Sequence, residues 1–148
     1  MAELKTLELR LNFGWAPVLG DDDEPYTFPS PLGFRIRSDW AKPAIYRWTV
    51  TIGGRVDAVH IGEADDLSRR IYQYLNPGAS QHMNARVKSA LAQQALRGAE
   101  VTLAVLSLQE CALNGVSFGK DALKDSGLRR TVENLLSYEA RKSGIRTL

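Results

Sequence analysis

Five residues have types and spacings that suit joint action on a charged substrate. Tyr46 ends the tripeptide Ala44-Ile45-Tyr46, and fourteen residues later His60 opens His60-Ile61-Gly62. Arg70 follows Gly62 by eight residues, and Tyr74 follows Arg70 by four. Glu133 stands far downstream, at the head of Glu133-Asn134-Leu135-Leu136. An imidazole can accept a proton near neutral pH, a phenol only where its pKa of about 10 is lowered. A guanidinium is always charged and forks onto two oxygens of one phosphate. A carboxylate is a hard ligand for magnesium or manganese. Each residue also has an ordinary structural reading. Tyr46 suits a half-buried strand, and His60 between apolar neighbours suits a satisfied structural histidine. Arg70 can pair with Asp66, and Glu133 with Arg129, one helical turn apart. Arg86, Lys88 and Arg97 read as a solvated helix face.

These residues need elements to hold them. Residues 44–52 alternate and are rich in β-branched and aromatic types, which predicts a strand. Gly53-Gly54 is a hairpin signal, and residues 55–61 read as the returning strand, ended by Gly62. Asp65 or Asp66 can cap a helix over 67–75, with Leu67, Ile71 and Leu75 on its buried face. Asn76-Pro77-Gly78 stops it. A second helix fits 82–96, with Met83, Val87, Leu91 and Ala95 facing inward and Arg97-Gly98 at its end. Residues 100–108 are apolar enough for a central strand, 109–127 read as a long loop with room for a short helix, and 128–142 as a last helix. That helix presents Val132, Leu135, Leu136 and Ala140 to the core. Helices should therefore pack against a small sheet.

Composition sets the class. A chain of 148 residues, 44% hydrophobic and 24% charged, fits one soluble globular unit. No apolar run approaches the roughly 18–20 residues of a membrane span. The first ten residues lack the apolar core of a signal peptide. One cysteine, Cys111, excludes an internal disulfide and a Cys-rich zinc site, and the expected setting is cytoplasmic. Residues 1–40 read as an N-terminal arm: a strand-like run (Leu7, Leu9, Leu11, Phe13), then an acidic, Pro-rich loop with prolines 17, 25, 29 and 31. The arm carries four Lys/Arg against seven Asp/Glu, whereas residues 41–148 carry fifteen against ten. A polyanionic partner would meet the later part.

Taken together, the paired tripeptides, the Gly-to-Arg spacing and the late glutamate resemble the GIY-YIG nuclease family, including the nuclease domain of bacterial excision-repair incision proteins. The resemblance covers roughly residues 44–148. It implies an α/β (α+β) fold: a small mixed, mainly antiparallel three-stranded sheet flanked by helices. Its order is β-β-α-α-β-α, here behind the N-terminal extension. It further implies a metal-dependent endonuclease that hydrolyses DNA, leaving a 5′ phosphate and 3′ hydroxyl. One Mg²⁺ or Mn²⁺ ion would be held by Glu133. Tyr46 would activate water, and Arg70 and Tyr74 would grip the phosphate. His60 takes the place of the family's second tyrosine. Ala44 replaces its first glycine, and its closing asparagine has no counterpart through Leu148. His60 and the missing asparagine favour a different reading, a catalytically inactive module that binds DNA or a protein; the presence of Tyr46, Arg70, Tyr74 and Glu133 together favours the enzyme. The implied partners are DNA and a homodimer or protein partner supplying specificity, with no membrane. No phosphate loop, nucleophile elbow or cofactor fingerprint supports a small-molecule enzyme.

Overall fold

The computed structural model describes residues 2–20, 22–28, 38–75, 82–119 and 121–148. Strands β1 (Leu9–Pro17), β2 (Thr27–Phe28), β3 (Ala44–Ile52), β4 (Arg55–Ala64), β5 (Glu100–Leu113), β6 (Val116–Ser117) and β7 (Arg146–Thr147) form one sheet. Its path runs β1-β5-β3-β4-β7, with β2 and β6 also on β5. Every described pairing is antiparallel except β4 with β7. Helices α1 (Leu67–Leu75) and α2 (His82–Leu96) pack on one face and α3 (Ser126–Lys142) on the other. The fold is mixed α/β around a mostly antiparallel sheet.

The β3–β4 hairpin forms as its Gly-Gly signal predicts. Gly53 and Gly54 have φ of 58° and 77°, the left-handed pair that a tight two-residue hairpin turn requires. β3 is buried almost throughout because strands flank it on both sides and helices cover both faces. Its even positions, Ala44, Tyr46, Trp48 and Val50, join Leu67, Ile71, Val87 and Leu91 in one cluster. Ile45 joins Val132, Leu136 and Ala140 in the other. Each fully buried Val or Leu contributes roughly 1.5–3 kcal/mol by leaving water.

Four expectations need correction. The sheet exceeds three strands, because the N-terminal arm supplies β1, which pairs with β5 from Leu9 to Pro17. The same arm reaches the core: Val18, Tyr26 and Phe28 are buried, the two aromatic rings 6.0 and 5.9 Å from that of Trp48. The predicted loop over 109–127 starts as strand. β5 runs on to Leu113 and turns back at Asn114-Gly115, whose φ values of 49° and 79° again make a tight hairpin. β4 passes through Gly62 to Ala64 rather than ending there. Finally, Leu135 faces outward on α3, where Val132, Leu136 and Ala140 make the buried stripe. The stop at Asn76-Pro77-Gly78 and prolines 29 and 31 lie outside the described residues, as do the side chains of Leu75 and Met83.

The helix starts are settled by carboxylates. Asp66, not Asp65, caps α1, its Oδ1 accepting from the Arg69 N–H at 2.9 Å. Asp125 caps α3 by accepting from Leu128 N–H at 2.8 Å, which moves the helix start two residues ahead of the predicted one. Gly98, with φ of 86°, ends α2 as expected. Among the described residues, no helix is long and apolar enough to cross a membrane.

Candidate functional site

Tyr46 and Gly62 sit opposite each other across the β3–β4 ladder. The Tyr46 phenol lies over Gly62 so closely that a β-carbon there would stand 2.5 Å from Tyr46 Cζ. This is the physical need for glycine at position 62: the strand makes room for a ring. Gly62→Ala must displace that ring, since Tyr46 is 1% exposed and packed on every side. The expected loss is about 1–3 kcal/mol of stability. Urea unfolding would check it, and the cost should shrink when Tyr46→Ala is made as well, because the clash is then gone.

His60 is next along the same face of β4, its ring centroid 6.4 Å from that of Tyr46. Its Nδ1 lies 3.4 Å from the Leu148 carbonyl oxygen, so in the Nδ1–H tautomer Nε2 carries the lone pair. Burial holds the imidazole below its usual pKa; the Leu148 contact opposes this, and the charges of Arg86 and Arg70 add to it. His60 is therefore neutral at pH 7. The lesser contribution of Arg86 and Arg70 is a positive field at the ring, which suits an anion.

Glu133 approaches from α3, on the opposite face of the sheet. It is half-buried, and burial followed by the nearby Glu63 carboxylate raises its pKa, while Arg70 and Arg130 pull the other way. Arg70 thus acts on both His60 and Glu133. Arg70 is the charge common to the two, and β7 pairs with the outer edge of β4 only at Ala58 and Val59. The predicted Arg70–Asp66 and Glu133–Arg129 ion pairs do not form among the described residues. Tyr74 falls one turn after Arg70 on α1, but its side chain lies outside the described residues.

Sequence reasoning missed the acids and arginines behind this edge. Arg129, 2% exposed, donates from Nε to Glu63 Oε2 at 2.8 Å, from Nη1 to the Leu123 carbonyl at 2.9 Å and from Nη2 to Asp65 Oδ1. Arg130 Nε stands 3.7 Å from the other Glu63 oxygen. Glu63 is thereby held beside Glu133 by two cations. Glu63 and Asp65 immediately precede α1 in sequence, but nothing local tells that a residue 66 and 64 positions downstream will claim them. Arg86 had been read as part of a solvated face, and it is exposed, yet its charge reaches His60.

No three His, Cys, Asp or Glu side chains converge among the described residues. A divalent ion at Glu133 would draw the rest of its shell from water and substrate oxygens, the usual arrangement for Mg²⁺. The half-buried carboxylate fits that role, because a dication would relieve both the cost of burying its charge and its repulsion by Glu63. A separate groove of about 610 Å³ opens beside β5, lined in part by Trp40, Lys42, Cys111 and Lys124. It includes none of Tyr46, His60, Arg70 and Glu133. Comparison with protein-family models, with curated proteins and with solved structures finds no match to this chain.

Proposed function

We propose that the chain is a GIY-YIG-type endonuclease that hydrolyses DNA phosphodiester bonds with one divalent metal ion. The observation that carries this reading is that the Arg70 charge acts on both His60 and Glu133, with the Tyr46 ring 6.4 Å from that of His60. Arg70 binds the scissile phosphate and stabilises the charge that grows on it. Neutral His60 takes a proton through Nε2, either from water directly or by way of the Tyr46 hydroxyl. Glu133 is the ligand for Mg²⁺ or Mn²⁺, with Tyr74 expected on the phosphate beside Arg70. The metal, when bound, supplies positive charge to the phosphate oxygens. Products are a 5′ phosphate and a 3′ hydroxyl.

A silent DNA- or protein-binding module on the same scaffold is the second reading. It is favoured by Tyr46, which at 1% exposed cannot meet bulk water without help from a neighbour. Incubation with supercoiled plasmid separates the two. The enzyme nicks in Mg²⁺ or Mn²⁺ and stops in EDTA, and Arg70→Ala slows nicking on the order of 10²–10³-fold. Binding to plasmid without nicking at any metal concentration would leave the silent module. Nicking that ignores Arg70→Ala would reject the site.

A further inference from the structure

β1 ends the sheet path, and among the described residues no strand lies beyond it. The carbonyl of Glu8 accepts from Asn114 N–H at 2.9 Å, and Glu8 N–H donates to the Asn114 side chain at 2.8 Å. Both backbone groups of this even-numbered residue therefore turn toward β5. Backbone direction alternates along an antiparallel strand, so those of Leu7, Leu9 and Leu11 turn to the open edge. The extra residue in the β1–β5 pairing, Gln109, lies on β5, and β1 itself stays regular.

A second copy pairing on this edge is tightly constrained. A two-fold axis perpendicular to the sheet keeps each side chain on its own face and sets one residue against its own copy. That pair is hydrogen-bonded where the backbone points outward and non-hydrogen-bonded where it points inward. Centring on Glu8 or Arg10 sets a charge against its own copy, which leaves Leu7, Leu9 and Leu11. Centring on Leu7 sets Leu4 against Arg10 and Thr6 against Glu8; centring on Leu11 sets Arg10 against Asn12. Centring on Leu9 sets Glu8 against Arg10 twice, Leu7 against Leu11 twice and Leu9 against itself. Only this register matches both charge and apolar type.

Further features of the strand agree. Leu4 and Leu7 are 94% and 77% exposed on a stretch that reaches past the sheet. Edge strands are ordinarily blunted by proline or a kink, but β1 carries no proline before Pro17. We propose that this edge is a homodimer interface in which two copies pair antiparallel about Leu9 and join their sheets. The candidate site, at β4, lies on the far side of β3 and β5 from this edge, so both copies keep it open. The inference is independent of the nuclease reading.

Light scattering on the full chain tests it. The wild type runs at twice the 16.4 kDa chain mass in the micromolar range. Glu8→Arg and Arg10→Glu, both at exposed positions, each set like charges together across the axis and weaken dimerisation roughly tenfold. Mixed in equal amounts, the two variants recover a dimer, since each offers the charge that the other lacks. Leu9→Pro removes an outward N–H that β5 does not use, so it gives a folded monomer by circular dichroism. A monomeric wild type, a dimer insensitive to both charge reversals, a mixture that does not recover, or a dimer that survives Leu9→Pro would each overturn the proposal.

Discussion

Glu133→Gln is expected to abolish plasmid nicking while making the protein more stable at pH 7. The activity loss follows from the proposed metal role: an amide keeps the shape but not the charge, and a drop on the order of 10³-fold is anticipated. The stability gain follows from the environment. Burial and Glu63 raise the Glu133 pKa, so the folded state binds its proton more tightly than the unfolded chain does. Below the unfolded value of about 4.3 the group is protonated in both states and costs nothing. As pH rises through the folded value the carboxylate ionises against burial and repulsion, and the penalty grows to its full size above that value. Glutamine removes it. Thermal melts of both proteins from pH 4 to pH 8 should show the variant's advantage growing with pH. A variant that nicks normally would remove Glu133 from the chemistry. A variant less stable at pH 7 would show that the carboxylate is not strained where it lies.

Arg129→Ala has the largest expected effect on stability, about 3–4 kcal/mol of unfolding free energy. The guanidinium is 2% exposed and Glu63, its main partner, has a side chain 16% exposed, so the change strands a largely buried carboxylate. Asp65 adds little, because its side chain is 73% exposed and water replaces the lost contact. The Leu123 carbonyl loses its donor as well. For a domain of this size the loss lowers the melting temperature by on the order of 10 °C. Arg129→Lys should fall between, since one ammonium cannot span three acceptors in a plane. Released Glu63 is also free to turn toward Glu133, so nicking should fall even where the variant remains folded. A destabilisation under about 1 kcal/mol would mean that the clamp is a bystander.

Much of the architecture was legible because local signals agreed with one another. The β3–β4 hairpin was announced by alternation on either side of Gly53-Gly54, and α2 ends at the predicted Gly98. Where local signals were weak or overlooked, the reading failed. Asn114-Gly115 is as strong a hairpin signal as any in the chain, yet the polar residues of 109–113 masked the strand before it. Those residues stay extended because β1 pairs with them, a long-range contact that residue types do not encode. Leu135 was placed inward by type, but the α3 stripe of Val132, Leu136 and Ala140 already spans the width facing the sheet.

By itself the sequence determined the element types, the mixed α/β class, and which residues had the chemistry to work together. Tertiary structure decided their company. Gly62 is required by the Tyr46 ring from the neighbouring strand, and His60 is neutral because packing buries it, with the charges of Arg86 and Arg70 adding to the effect. Asp65 serves Arg129 rather than the cap of α1, and Glu63 stands beside Glu133 because a buried arginine on a distant helix holds it there. Spacing along a chain fixes which face of one element a side chain takes. The field that it meets comes from other elements, and pairing between elements sets that.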